Sequence, residues 1–142
     1  MDSTITRVLS DDARALRTAI FMDEQGFEHE FDDYDEPDRA IHLVLHDEIE
    51  PIATGRLYPS SGEKDVWLLG RIAIVAERRG TGLGRVLIAE LERIAALEGA
   101  VRVELSAQVR ASGFYERCGY RQVGEPYDDE GCPHIKMVKS LA

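Results

Sequence analysis

The chain has 142 residues, 44% of them apolar, and carries 27 acidic against 17 basic side chains for a net charge of -10. That length suits one domain over residues 1–142, with a core of its own. The acidic balance argues against a nucleic-acid partner, which demands a basic face, and no apolar run approaches the roughly 20 residues that cross a bilayer.

The first residues, Met1-Asp2-Ser3-Thr4, are polar and acidic and do not read as a signal peptide. Residues 3–8 alternate as a short strand. Ser10 suits a helix N-cap, with Asp11 and Asp12 in a first turn where acids meet the positive end of the helix dipole. Ala13, Leu16, Ile20 and Phe21 form the apolar stripe of a helix ending near residues 24–26. An acidic loop spans 23–38. Two strands follow, 41–46 and 52–58, joined by a polar turn, and 59–65 is a loop. Residues 67–75 read as a strand and 82–98 as a long helix, with Leu83, Leu87, Leu91, Ile94 and Leu97 on its apolar face. Gly99 suits the position just past that helix. Residues 101–105 alternate as a strand, and 111–117 form a short helix stopped by Cys118-Gly119. Residues 120–124 and 134–140 are late strands, separated by an acidic turn with Gly131 and Pro133. This order predicts an α/β (α+β) fold, a mixed central sheet of about six to seven strands flanked by helices.

Between the strand at 67–75 and the long helix lies Arg78-Arg79-Gly80-Thr81-Gly82-Leu83-Gly84-Arg85. Glycine can bend sharply and let a ligand approach the backbone. The first amides of a helix lack internal partners and point outward at its positive end. Together they make an anion site, most naturally for phosphate. A P-loop requires Gly-Lys-Ser/Thr, which the chain lacks, and a dinucleotide fingerprint requires glycine where Arg85 stands.

The strand followed by Arg79-Gly80-Thr81-Gly82-Leu83-Gly84 and a helix resembles the acetyl-CoA pyrophosphate loop of GNAT-superfamily acyltransferases. Gly113-Phe114-Tyr115-Glu116-Arg117-Cys118-Gly119-Tyr120 is similar to the family's Phe-Tyr-x-x-x-Gly-Phe signature, with Tyr120 for the last Phe. Glu24-Gln25-Gly26, His42, Gly55-Arg56-Leu57, Gly70-Arg71-Ile72-Ala73, Ala107-Gln108 and Gly131-Cys132-Pro133-His134-Ile135 resemble the ElaA-like branch. The resemblance implies a GNAT-like fold and acetyl-CoA as co-substrate. The amides of Arg79, Gly80, Thr81, Gly82, Leu83 and Gly84 would hold the pyrophosphate, with Arg78, Arg79 and Arg85 at its rim. The backbone of Ile72, Ala73 and Ile74 would pair with the pantetheine arm, and one of their amides would polarise the thioester carbonyl. A buried core strand is the plainer reading of the same residues.

Amine attack on a thioester expels a thiolate, and a phenol near the sulfur can donate a proton to it. The resemblance gives that acid role to Tyr115; simple packing beside the cofactor is the alternative. Phe114 packs on the core or the pantetheine, and Gln108, past a strand end, contacts pantetheine or acceptor. An ammonium acceptor must also lose a proton. Nine acids between Asp23 and Asp38, uninterrupted by Lys or Arg, border the acceptor site in the family. They would attract a cationic amine, and Glu24 and Glu28 are the candidate bases, although a solvated loop explains most such acids. His42 and His134 are further candidates, each also suited to hydrogen bonding within the fold. Arg56 and Arg71 are placed to pair with the acidic loop. Four scattered histidines and two distant cysteines have no metal-ligand spacing, so Cys118 and Cys132 read as structural and no metal is expected. The expected activity is acetyl transfer to a primary amine, on a cationic small molecule, by a cytoplasmic protein. The rivals are a non-catalytic acyl-CoA sensor and an enzyme acting on protein amines. Family analogy adds a homodimer.

Overall fold

Seven strands form one mixed sheet, with helices packed on its faces. The computed structural model describes residues 1–142. The strands are β1 (Asp2–Thr6), β2 (Ile41–His46), β3 (Pro51–Pro59), β4 (Val66–Ile74), β5 (Arg102–Gln108), β6 (Arg121–Asp129) and β7 (Cys132–Ser140). Their spatial order is β1-β2-β3-β4-β5-β7-β6. All neighbours are antiparallel except β4 and β5, which are parallel. A parallel pair needs a crossover, and α2 (Leu83–Leu97) supplies it. The sheet expected from the sequence is therefore present. The two late strands run longer than their alternation indicates and meet in a hairpin around Glu130 and Gly131.

α1 (Asp11–Arg17) starts at Ser10, whose hydroxyl accepts from the Ala13 N–H at 3.2 Å. The predicted helix does reach Glu24, but its second half, Thr18–Glu24, widens into a π-helix. Such insertions recur at functional sites. A short α3 (Ser112–Arg117) follows β5.

Strand alternation explains why β2 is apolar on both faces from Leu43 to Leu45. Leu43 and Leu45 join the large core with Leu83, Leu87, Ile88, Leu91 and Ile94 of α2. Val44, on the opposite face, packs with Ala13 and Leu16 of α1. Burial on both faces removes the usual polar alternation. Gly55 of β3 lies against α2, where an added Cβ would come within 2.7 Å of Leu91.

Two irregularities open the sheet. In β4, Arg71 and Ile72 together oppose the single residue Gly55, and Arg71 takes a left-handed φ of 50°. This is a β-bulge, which re-aims the strand. β4 and β5 pair only from Val66↔Arg102 to Leu69↔Leu105. Beyond that point the two strands diverge.

Candidate active site

The divergence of β4 and β5 leaves a cleft of about 1270 Å³. Gly70, Arg71 and Ile72 of β4 form one wall, and Ser106, Ala107 and Gln108 of β5 the other. The Val75 N–H donates to the Ile52 carbonyl of β3 at 3.0 Å. By alternation along β4, the Ala73 amide also turns toward β3, while the N–H and C=O of Ile74 turn toward the cleft. Of the three residues expected to meet pantetheine, Ile72 lines the cleft and Ile74 turns its polar backbone toward it, whereas the Ala73 amide faces β3.

The glycine octet lies at the end of this wall. Gly80 and Gly82 have φ of 76° and 86°, a left-handed conformation that other residues reach only with strain. Gly82 is the N-cap of α2 and supplies no side-chain cap. The first intrahelical bond is Val86 N–H to Gly82 O at 3.4 Å, so the amides of Leu83, Gly84 and Arg85 are left for another acceptor. Gly84 faces Phe114 of α3, and an added Cβ would sit 3.0 Å from its ring. Phe114 packs on the core beneath the loop.

The three arginines differ. Arg78 pairs with Asp47. Arg79 pairs with Glu24 at 2.8 Å and donates to the Ile74 carbonyl at 3.0 Å, capping the cleft edge of β4. Arg85 is exposed and has no ion-pair partner, so it is the free cation of the octet.

Tyr115 lines the same cleft. It makes edge-on contacts with Phe114 and Tyr120, with centroids at 5.1 and 5.9 Å. Desolvation by burial, with a smaller push from Cys118, raises its phenol to about 12. The group is therefore a proton or hydrogen-bond donor at any physiological pH. Gln108 donates to Gln25 at 2.9 Å and accepts from Arg110 at 2.8 Å, bridging β5 to the segment after the π-helix.

Of the acidic segment, only Glu24 and Glu30 reach the cleft. Glu24 lines the cleft, but its carboxylate is held by Arg79. Glu28 is exposed and outside the lining; its own amide is tied to Glu130. Glu30, Asp32 and Asp35 fold inward as partners of Arg17, Arg56 and Arg71. Arg17 is 1% exposed and bonds Glu30 at 2.9 Å and Asp35 at 2.7 Å. Arg56 reaches Asp32 at 2.7 Å, and Arg71 reaches Glu30 at 3.1 Å. Three cations offset three anions, so this part of the loop projects little net field. Asp35 is held below its ordinary range: hydrogen bonds from Arg17 and the Asp32 amide outweigh its desolvation. Burial pushes Glu30 upward against the opposing arginines.

His42 belongs to this network rather than to the cleft. Its Nε2 is buried without a partner, and burial, aided by Arg17 and Arg56 and resisted by Asp35, pushes it down to about 4. His134 does line the cleft. Both cysteines are free thiols; Cys132 lines the cleft and burial raises Cys118. No three His, Cys, Asp or Glu side chains are grouped to hold a metal ion. No helix is long and apolar enough to cross a membrane.

Sequence reasoning missed Asp129 and Glu130 as cleft residues. Glu130 accepts from the amides of Glu28 and His29 at 3.0 and 3.1 Å, which closes the cleft from the hairpin side. Only the β6-β7 turn brings them there, and no local spacing announces a contact about a hundred residues away along the chain.

A family model described as an acetyltransferase (GNAT) domain matches residues 10–141. An uncharacterized N-acetyltransferase of Bacillus subtilis, YjcF, is 34% identical over 131 residues, covering 90% of each chain. An acyl-CoA N-acyltransferase from Pseudomonas aeruginosa superposes with a TM-score of 0.84 at 27% identity, covering 98% of this chain and 99% of that one. Escherichia coli ElaA superposes with a TM-score of 0.87 at 24% identity, over 98% and 99% of the two chains.

Proposed function

The chain belongs to the GNAT family of acyl-CoA-dependent N-acetyltransferases, and we propose that it moves an acetyl group from acetyl-CoA directly to a primary amine of a small cationic molecule. The observation that carries this reading is a cleft between diverged strands that holds a protonated phenol and has an uncapped helix N-terminus at the end of one wall. The residues fit the co-substrate. The amides of Leu83, Gly84 and Arg85 suit a pyrophosphate, and the exposed Arg85 adds charge beside them. The cleft-facing Ile74 backbone suits an amide-bearing arm added as a strand would be, once Arg79 releases its carbonyl.

When bound, acetyl-CoA supplies an activated carbonyl. The Ile74 amide polarises the carbonyl oxygen from a fixed position. Tyr115 donates to the departing sulfur. Cationic character in the acceptor is supported by residues other than those the sequence singled out. Glu24 and Glu30 are neutralised by Arg79 and Arg71, which leaves Asp129 and Glu130 against Arg110 at the cleft. The overall charge of -10 steers in the same direction. A cytoplasmic setting, where acetyl-CoA is made, completes the proposal.

The test is a panel of spermidine, phenethylamine, a lysine ester and glutamate with acetyl-CoA, followed by release of free CoA. The expected order puts the cations first and glutamate last. Preference for glutamate removes the cationic acceptor. Binding of acetyl-CoA without turnover on any amine supports a sensor instead.

A further inference from the structure

With Glu24 paired and Glu28 outside the cleft, the acceptor's proton has no carboxylate to go to among the residues expected to take it. We propose that His134 is the general base of the reaction, an inference that rests on the acetyl-transfer reading above.

His134 lies on β7 opposite Gln108 of β5 and shares the cleft with Tyr115. Its Nδ1 lies 2.8 Å from the Cys132 carbonyl oxygen. A carbonyl only accepts, so Nδ1 carries the proton of the neutral ring and Nε2 holds the lone pair. Nε2 makes no hydrogen bond within the protein, and unlike Nε2 of His42 it is not sealed from solvent. Phe27 meets the ring edge-on at 6.5 Å, and Tyr127 stacks on it at 6.2 Å with planes 28° apart. Tautomer and orientation are thus fixed by the backbone and two aromatic rings, which is the preparation a general base needs.

The charged and titratable groups on its side of the shared cleft come from every neighbouring element. They are Asp129, Glu130, Tyr127 and Cys132 of the hairpin, His29 and Glu30 of the loop after the π-helix, Arg71 of β4 and Arg110 after β5. Glu30 is committed to Arg17 and Arg71.

The step balances as follows. Nε2 takes one proton from the acceptor ammonium and passes it to water. The freed lone pair forms the C–N bond, and the nitrogen sheds a second proton to Nε2. The C–S bond breaks with its electron pair on sulfur. The sulfur gains the Tyr115 proton, and the second nitrogen proton refills the phenolate. One proton is released overall, and nothing is oxidised or reduced.

The decisive variant is His134→Asn, whose side-chain amide can still donate to the Cys132 carbonyl but has no basic lone pair. Acetyl-CoA affinity by calorimetry is expected to match wild type. With the fastest amine of the panel, kcat at neutral pH is expected to fall about 100-fold. The deficit should shrink as pH rises and more amine arrives unprotonated, and added imidazole should restore part of the rate. In unliganded wild type, ¹⁵N spectra should show the Nδ1–H tautomer with Nε2 unprotonated. A variant whose pH profile superimposes on wild type, or an Nε2–H tautomer, overturns the proposal while leaving acetyl transfer intact. If the variant fails to bind acetyl-CoA, the wild-type ¹⁵N spectrum decides. Absence of transfer by wild type to every amine overturns both readings.

Discussion

Replacing Tyr115 by phenylalanine removes one hydroxyl and leaves the ring. The edge-on contacts with Phe114 and Tyr120 are made by the ring and survive. Folding and acetyl-CoA affinity are therefore expected to change little. The loss in turnover can be bounded. The phenol is held near 12, whereas an ordinary thiol titrates near 8.5, so full proton transfer to a free thiolate is uphill by about 3.5 units, or about 5 kcal/mol. On the proposed mechanism, Tyr115 would act chiefly as a hydrogen-bond donor to charge building on sulfur, with transfer completed as the same burial raises the thiol. That places the effect near the low end of general acid catalysis, about 100-fold in kcat. The same burial keeps the phenol protonated well past pH 10, so Tyr115 itself contributes no alkaline limb below that pH. Steady-state rates and calorimetric acetyl-CoA binding on one preparation check this. An unchanged kcat, or a kcat loss accompanied by an equal loss of acetyl-CoA affinity, refutes the acid role.

Three further outcomes follow from the packing. Gly82→Ala forces a left-handed alanine at φ 86° with nothing within 4 Å of the new Cβ, so strain alone should cost about 1–2 kcal/mol and weaken acetyl-CoA binding; Gly62→Ala, in open space without that φ, serves as the unaffected control in urea melts. Arg17→Ala takes one of two cations from each of Glu30 and Asp35, which keep Arg71 and Arg56, and should destabilise by about 1–3 kcal/mol, read as a lower urea midpoint; a loss under about 1 kcal/mol contradicts the buried network. His42 is held near 4 in the fold but titrates near 6.5 unfolded, so the unfolded chain binds more protons in that window and stability falls as pH drops from 6.5 toward 4. The contribution is up to about 3 kcal/mol, and His42→Gln should flatten that slope in chemical melts at stepped pH. Glu30, raised by burial, titrates in the opposite sense, so the difference between variant and wild type isolates His42.

Those features depend on contacts of very different range, and this decided what the sequence could reveal. The octet was legible because its meaning is local: Gly80, Gly82 and the apolar face of α2 lie within a few turns of one another. Ser10 and Gly99 were legible for the same reason. The π-helix after Arg17 was not, because its residues keep the composition of an ordinary helix. The bulge at Arg71 hid in a strand whose sequence runs without a glycine at the bent position. The acidic stretch was misleading. Asp32 and Asp35 look solvated in sequence, and only the fold brings Arg17, Arg56 and Arg71 against them from three elements. Arg56 and Arg71 were expected to find those acids, whereas Arg17 lies on the buried face of α1 beside Ala13 and Leu16, where a cation is not anticipated. Glu130 became part of the cleft through a hairpin that no short window predicts.

The most direct test of acetyl transfer is to incubate the purified protein with acetyl-CoA and the amine panel, measuring N-acetylated product by mass spectrometry and free CoA by thiol titration. The account predicts the two in equal amounts, greatest with a cationic primary amine. Free CoA without acetylated amine, or bound acetyl-CoA that stays intact with every amine, would contradict it.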